Sequence, residues 1–337
     1  MAMKKIFGNL FVRIGAVFLL VFVCVGLFIF ASKNNLSEYL AHFNRDYRVY
    51  AVPIRSMDFA GEAVPLNDFE VRERLDKEVL VNVYWQSATM QSIKRANRFF
   101  LEIEPILKQE GIPADFKYLA VIESGLLNVV SPSGAAGFWQ IMRETGKQYN
   151  LEITDEVDER YHCQKATLVA CRYFKDAYRK FGNWTMVAAS YNAGITGMSR
   201  AMTEQQETNY YNLWLNTETS RYVMRILAIK AILQNPKAYG FYFRQEDLYK
   251  PLKTSTFTTD TSIVSLVAFA RNKGITYKHL KICNPWLRGN SLRVAAGKSY
   301  GLQLPSPSDV VSDKVEQEAF VPEFIQNEPD SVPTKRK

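Results

Sequence analysis

Glu123 closes an apolar run, Tyr118-Leu119-Ala120-Val121-Ile122, and is followed by Ser124. If that run is helical, Leu119 and Ala120 lie one turn back on the face of Glu123. A carboxyl group set against apolar neighbours loses hydration of its charged form. Its pKa rises, and it can carry a proton near neutral pH to a leaving oxygen. A second block, SPSGAAGFWQIM, places Gly134 and Gly137 around two alanines, where backbone can approach a ligand closely. Trp139 there offers a flat apolar surface and Gln140 a neutral donor and acceptor, the two things a sugar needs. In a third block, SYNAG, Tyr191 and Asn192 can orient a neutral polar ligand, with Gly194 as a helix stop. Each block also has an ordinary structural reading. These are an exposed helix-end Glu, a glycine turn with a core tryptophan, and a helix end with a buried tyrosine.

The elements that must position these residues read as helices. VPLNDFEVRERLDKEVLVNVYW opens with Pro65 and a capping candidate at Asn67 or Asp68, then repeats Phe69, Val71, Leu75 and Val79 at near-helical spacing. A second helix is predicted over 87–109 and stops at Gly111-Ile112-Pro113. Asp115 is a candidate cap for the short helix bearing Glu123. Further helices are predicted over 143–149, 163–181, 184–191 and 220–233. No alternation of strand and helix is visible. From Thr254 the pattern changes to strand, helix (263–271), helix (277–283) and strand (300–304), a compact βααβ unit.

Composition limits the alternatives. The 337 residues are 47% hydrophobic and 23% charged, with a net charge of +8. That excludes a wholly disordered chain, and no nucleic-acid fingerprint accompanies the basic excess. With three His, four Cys and no Cys-x-x-Cys, a metal centre or disulfide framework is not expected. Cys163 and Cys171 are eight residues apart on one predicted helix, about 12 Å along its axis, too far to bond. Asp155, Glu156, Asp158 and Glu159 form a charged run that reads as a solvated face or a helix entry.

Ile14 to Phe30 contains no charged side chain, and Leu10, Phe11 and Val12 extend the run backwards. About 20 apolar residues cross a bilayer core. The run is longer than the apolar region of a cleaved signal. It is therefore read as a retained anchor, with a cytoplasmic N-terminus and an exported C-terminal body.

The blocks occur in one order: GIPADFKYLAVIES, SPSGAAGFWQIM, FGNWTMVAASYNAG, TETSRYV. Together they resemble the family 1 lytic transglycosylases of the soluble-lytic-transglycosylase type, over roughly residues 64 to 240. The resemblance implies a mainly α, goose-lysozyme-like helical domain that cleaves the MurNAc-β-1,4-GlcNAc bond of peptidoglycan without water. It implies Glu123 as the single acid/base and Ser124, Gln140, Tyr191, Asn192 and Tyr222 as substrate-binding positions, with no metal and no cofactor. Leu126, Phe138 and Ser190 depart from residues common at those places in the family. Residues from Asp260-Thr261 through Asn284-Pro285 to Leu304-Pro305 resemble a LysM module, which binds N-acetylated glycans. Its other reading is a structural cap.

The expected organisation is a cytoplasmic tail (1–9), a transmembrane signal anchor (10–31), a spacer (32–63), the transglycosylase domain with lead-in helices (64–245), a LysM-like module (254–306) and a disordered tail (307–337). Expected partners are peptidoglycan glycan strands and, through the anchor, the inner membrane, with the catalytic domain in the periplasm. No nucleic acid is expected. Two alternatives stay open: a hydrolytic muramidase on the same scaffold, and a non-catalytic wall-binding protein.

Overall fold

The computed structural model describes residues 50–306. The anchor, most of the spacer and the C-terminal tail expected from the sequence lie outside them. Among the described residues no helix is long and apolar enough to cross a membrane. The compact body described below comprises residues 52–236 and 241–306.

It begins inside the stretch read as spacer. Strands β1 (Asp58–Phe59) and β2 (Glu62–Ala63) pair antiparallel around Ala60 and Gly61, both at positive φ. A two-residue turn with this geometry matches the twist of a hairpin. The hairpin is fixed by tertiary contacts that sequence periodicity does not signal. Phe59 is fully buried, with its ring 5.2 Å from that of Phe116.

Helix α1 (Phe69–Tyr84) is capped by Asp68, which accepts hydrogen bonds from the amides of Glu70 and Val71. Its buried residues Val71, Leu75, Val79 and Val83 recur every four positions, as one helical stripe. Helix α2 (Gln86–Gln109) follows directly and buries Ile93, Ala96, Phe100, Ile103 and Leu107. A 3-10 turn at Ala114–Phe116 leads into α3 (Lys117–Ser124), whose residues 118 to 122 are all buried. A helix apolar on every side must be enclosed, and Gly125 at φ +59° ends it. Asp115 does not cap α3. Its carboxylate instead accepts from the Ala60 amide and from Lys230.

The short α4 (Arg143–Gln148) precedes α5 (Cys163–Phe181), which stops at Gly182. Helix α6 (Trp184–Ala193) is capped by Asn183 and also by Glu62, whose carboxylate accepts from the amides of Trp184 and Thr185. Helix α7 (Ile195–Gln205) is not among the helices predicted above; it buries only Met198, with Ile195, Ala201 and Met202 half-buried beside it. Helix α8 (Thr217–Gln234) is buried on most sides and packs against α1, α3 and α6.

Lys230 on α8 is nearly buried. Its ammonium donates to the Asp58 carbonyl (2.7 Å), to Asp58 Oδ1 (3.1 Å) and to Asp115 Oδ2 (2.7 Å). Burial pushes the Asp58 carboxyl up, but hydrogen bonds from the Gly61 amide and Lys230, with the Lys230 charge, outweigh it and the net direction is down. Lys230→Met would leave the half-buried Asp115 carboxylate without its cation. The expected cost is about 3 kcal/mol, read as a fall in melting temperature of roughly 6–12 °C. A melt within 2 °C of the parent would remove this network from the account of stability.

The C-terminal unit is β3 (Thr254–Thr259), α9 (Leu266–Asn272), α10 (Tyr277–Cys283) and β4 (Tyr300–Pro305). The strands pair antiparallel from Thr254↔Pro305 to Thr259↔Tyr300. Helix α9 starts at its Ser265 cap rather than at Ile263, because Ile263 is held in a bridge with Leu292. Among the described residues, Cys163, Cys171 and Cys283 form no disulfide.

Candidate active site

Glu123 sits on the last turn of α3, half-buried. The Tyr222 hydroxyl, reaching from the buried face of α8, donates to Glu123 Oε1. Burial pushes the Glu123 carboxyl up. The Tyr222 hydrogen bond and the Arg225 charge pull it back, Glu218 pushes it up again, and the net direction is up. Arg225 also donates to the Ile122 carbonyl at 2.7 Å, fixing α8 to the end of α3. Burial likewise drives the Tyr191 and Tyr222 hydroxyls well above their ordinary range, with Glu123 as the next cause for each. Both phenols are therefore neutral donors beside one acid.

Ser124 donates to the Ala120 carbonyl (3.1 Å) and to the Phe138 carbonyl (2.9 Å), tying α3 to the glycine-rich segment. Tyr191 does the same from α6. Its hydroxyl donates to the Trp139 carbonyl at 2.7 Å while its ring packs on Tyr173 and Phe174. The two hydroxyls thus grip successive carbonyls of one loop. Gln140 donates through Nε2 to the carbonyls of Gly137 (2.8 Å) and Val129 (3.2 Å). It holds φ +45°, and Leu126, three residues past Glu123, holds φ +57°. Non-glycine residues in this region cost about 1–2 kcal/mol each, and such outliers gather at functional sites.

Asn192 is committed at both ends of its amide to the start of α8. Its Nδ2 donates to Glu218 Oε1 (3.0 Å), and its Oδ1 accepts from Thr219 Oγ1 (2.9 Å). Five of the six residues singled out from the sequence are thus joined to one another through α3, the 134–141 loop and α8; Asn192 adjoins them through Glu218. Glu218 lies inside the TETSRYV block and was missed. A charge at a helix start reads as a local feature until the fold brings it near Glu123.

Two expectations are corrected. Trp139 offers no surface to a ligand: it is fully buried, its Nε1 donating to Thr167 Oγ1 at 2.9 Å and its ring lying edge-on to Phe174. The reading as a core tryptophan holds, because the loop turns inward at that residue. The acidic run is not a solvated face throughout. Asp158, Glu159 and Arg160 are each 6% exposed. Asp158 pairs with Arg160 (2.7 Å), and Glu159 accepts from the Glu152 amide (2.8 Å) and pairs with Lys165. Local sequence showed the charges but not the distant backbone that encloses them. Among the described residues, no cluster of His, Cys, Asp and Glu is placed to hold a metal ion.

The helical body and a half-buried carboxyl of raised pKa beside two phenols describe a class that comparison with known proteins specifies. Residues 101–214 match the transglycosylase SLT domain, and residues 255–308 match the soluble lytic transglycosylase C-terminal LysM-like domain. The chain therefore carries an SLT transglycosylase domain followed by a LysM-like domain. The particular relative is membrane-bound lytic murein transglycosylase D of Escherichia coli K12, 28% identical over 243 residues, covering 70% of this chain and 52% of that protein. The protein of the same name from Escherichia coli O6:H1 matches with the same figures. The chain spans about half the length of these curated relatives. An inactive mutant of lytic transglycosylase Slt from Pseudomonas aeruginosa aligns over 45% of this chain and 26% of its own, at 16% identity and a TM-score of 0.32. That likeness is too low to bear on the fold.

Proposed function

We propose that this protein is a peptidoglycan lytic transglycosylase with Glu123 as its acid/base. The observation that carries the reading is the Glu123 carboxyl itself, held by Tyr222 and raised in proton affinity by burial within an SLT domain. Protonated Glu123 gives its proton to the glycosidic oxygen as the C1–O bond of MurNAc breaks. Positive charge develops at C1, and the substrate's acetamido oxygen stabilises it. The carboxylate so formed then takes the proton of the 6-hydroxyl, whose oxygen closes on C1. Glu123 regains its proton and the product ends in 1,6-anhydro-MurNAc, with no water consumed.

Ser124, Gln140, Tyr191, Asn192 and Tyr222 serve substrate binding in this reading. Their hydrogen bonds support this reading. Ser124 and Tyr191 shape the loop by gripping its carbonyls, and Gln140, with Nε2 engaged, offers its amide oxygen. Tyr222 steadies the carboxylate after proton transfer. The domain takes the goose-lysozyme-like arrangement. The apolar run of residues 14–30 anchors the protein in the inner membrane with the catalytic body in the periplasm, in keeping with the word membrane-bound in the relative's name.

One observation favours a second reading. Glu218 acts electrostatically on Glu123 and is fixed by Asn192. Hydrolytic glycosidases work with two carboxyl groups, so Glu218 could activate a water in a muramidase. Mass spectrometry of muropeptides released from purified sacculi separates the two. The expected ends are anhydro, one water lighter than hydrolysed ends. Uniformly hydrated ends would overturn the transglycosylase reading in favour of the muramidase.

A further inference from the structure

The LysM-like unit is built into the catalytic body. Val157 and Tyr161 of the segment between α4 and α5, and Ala136 of the glycine-rich loop, lie in one apolar cluster with Leu266, Ala270, Leu280, Trp286, Leu287 and Tyr300. Val157 forms a β-bridge with Leu287, and the Asp158 amide donates to the Trp286 carbonyl at 2.9 Å. The Glu156 carbonyl accepts from the Arg288 amide (2.7 Å), and its carboxylate accepts from Ser291 Oγ (2.6 Å) and the Arg293 amide (2.8 Å). The Tyr300 hydroxyl donates to Glu152, and the Arg288 guanidinium lies 4.3 Å over the Tyr161 ring. A freely tethered binding module would share no core with its neighbour.

The same segment continues into the loop of the candidate site. Arg160 is held by Asp158 through Nε (3.0 Å) and NH2 (2.7 Å). Its NH1 donates to the carbonyls of Gly134 (2.9 Å) and Ile141 (3.2 Å), the two ends of the loop. Its own carbonyl lies so close to Gly137 that a Cβ there would stand 2.0 Å away. Arg160 thus clasps the loop at its start, middle and end, and the bidentate fork of a guanidinium suits that task where an ammonium does not.

We propose that Arg160 is a positioning residue for the Gly134–Ile141 loop, and that the LysM-like unit acts as its brace through the segment from Glu156 to Tyr161. The consequence for catalysis rests on the function proposed above; the mechanical coupling does not. Phe138 and Trp139 present the carbonyls that Ser124 and Tyr191 hold, so a shift of the loop reaches the surroundings of Glu123 without any contact from the LysM-like unit itself.

Two variants of the full chain test this. Arg160→Lys keeps the charge and loses the fork. Gly289→Val wedges the far side, because a Cβ at Gly289 already meets Glu156 Cγ at 3.2 Å and Cα at 3.3 Å. Amide hydrogen exchange is read by mass spectrometry for residues 134–141, with α8 as internal reference. Both variants should exchange at least ten-fold faster in the loop while α8 is unchanged. On sacculi, kcat should fall ten-fold or more for Arg160→Lys, with KM within about two-fold and melting temperature within 3 °C. Should Arg160→Lys fail to fold, Gly289→Val decides alone. Loop exchange within three-fold of the parent in a folded variant overturns the brace. Unchanged kcat with a loosened loop overturns the positioning role. A parent chain that releases no muropeptide, yet shows the exchange effect, leaves the brace standing and removes the function proposed above.

Discussion

Glu123→Gln is expected to lower muropeptide release from sacculi by about 10²–10⁴-fold, the span typical of removing one general acid. The amide has the size of the carboxyl but cannot donate an acidic proton or take one back from the 6-hydroxyl. The Tyr222 hydroxyl that donates to Glu123 Oε1 can donate to the amide oxygen in the same place. Burial already disfavours the charged carboxylate, so a neutral replacement costs the fold nothing and the melting temperature should hold or rise. The pH dependence has a defined sign. In the proposed mechanism the first step needs the protonated acid, so the parent's rate should fall on the alkaline side as Glu123 loses its proton, and the residual rate of the variant should lack that limb. Because the carboxyl is raised above its ordinary range, the fall begins at higher pH than for an exposed glutamate. More than a tenth of parental release from Glu123→Gln would dismiss the acid/base role.

Gly137→Ala carries the largest expected effect on stability. The residue has φ +78°, and the added Cβ would lie 2.0 Å from the Arg160 carbonyl oxygen and 2.9 Å from its carbon. The backbone conformation costs a non-glycine residue about 1–2 kcal/mol. Forcing a methyl against a fixed backbone adds about 1–3 kcal/mol. A loss of about 2–5 kcal/mol is expected, seen as a melting temperature lower by roughly 4–20 °C. Gly134→Ala separates the two causes. Gly134 also has positive φ (+85°), but a Cβ there meets nothing within 4 Å, so only the conformational cost applies. Equal losses for the two variants would show that the approach of Arg160 to the loop is not tight.

Much of the helical framework was legible because its signals are local. Helix α5 runs from Cys163 to Phe181 and α10 from Tyr277 to Cys283, as the spacing predicted, since Gly182 and the Thr276 cap mark boundaries within the chain's own neighbourhood. Helix α7 starts straight after Gly194, which reads as a helix stop, and only Met198 on it is fully buried. The hairpin at 58–63 escaped because a Lys and an Asp from distant elements hold it. Glu123 could be picked out from the apolar run before it.

What its surroundings do to it could not. Tyr222 and Arg225 approach from about a hundred residues away, and Glu218 reaches the site only through the packing of α8 against α3 and α6. Trp139 has the composition of a sugar platform and the placement of a core residue. Asp158 and Arg160 look like surface charges and are enclosed by the loop they hold and by the LysM-like unit. The sequence by itself determined most of the helices, where several of them stop and which carboxyl follows the greasiest turn. Those outcomes depend on torsional preference and hydrophobic spacing over a few residues. Only the tertiary structure decided which groups face that carboxyl, which aromatic rings are withdrawn from solvent and which charges are paired. Burial and electrostatic coupling depend on distance in space, and a one-dimensional string does not carry that distance.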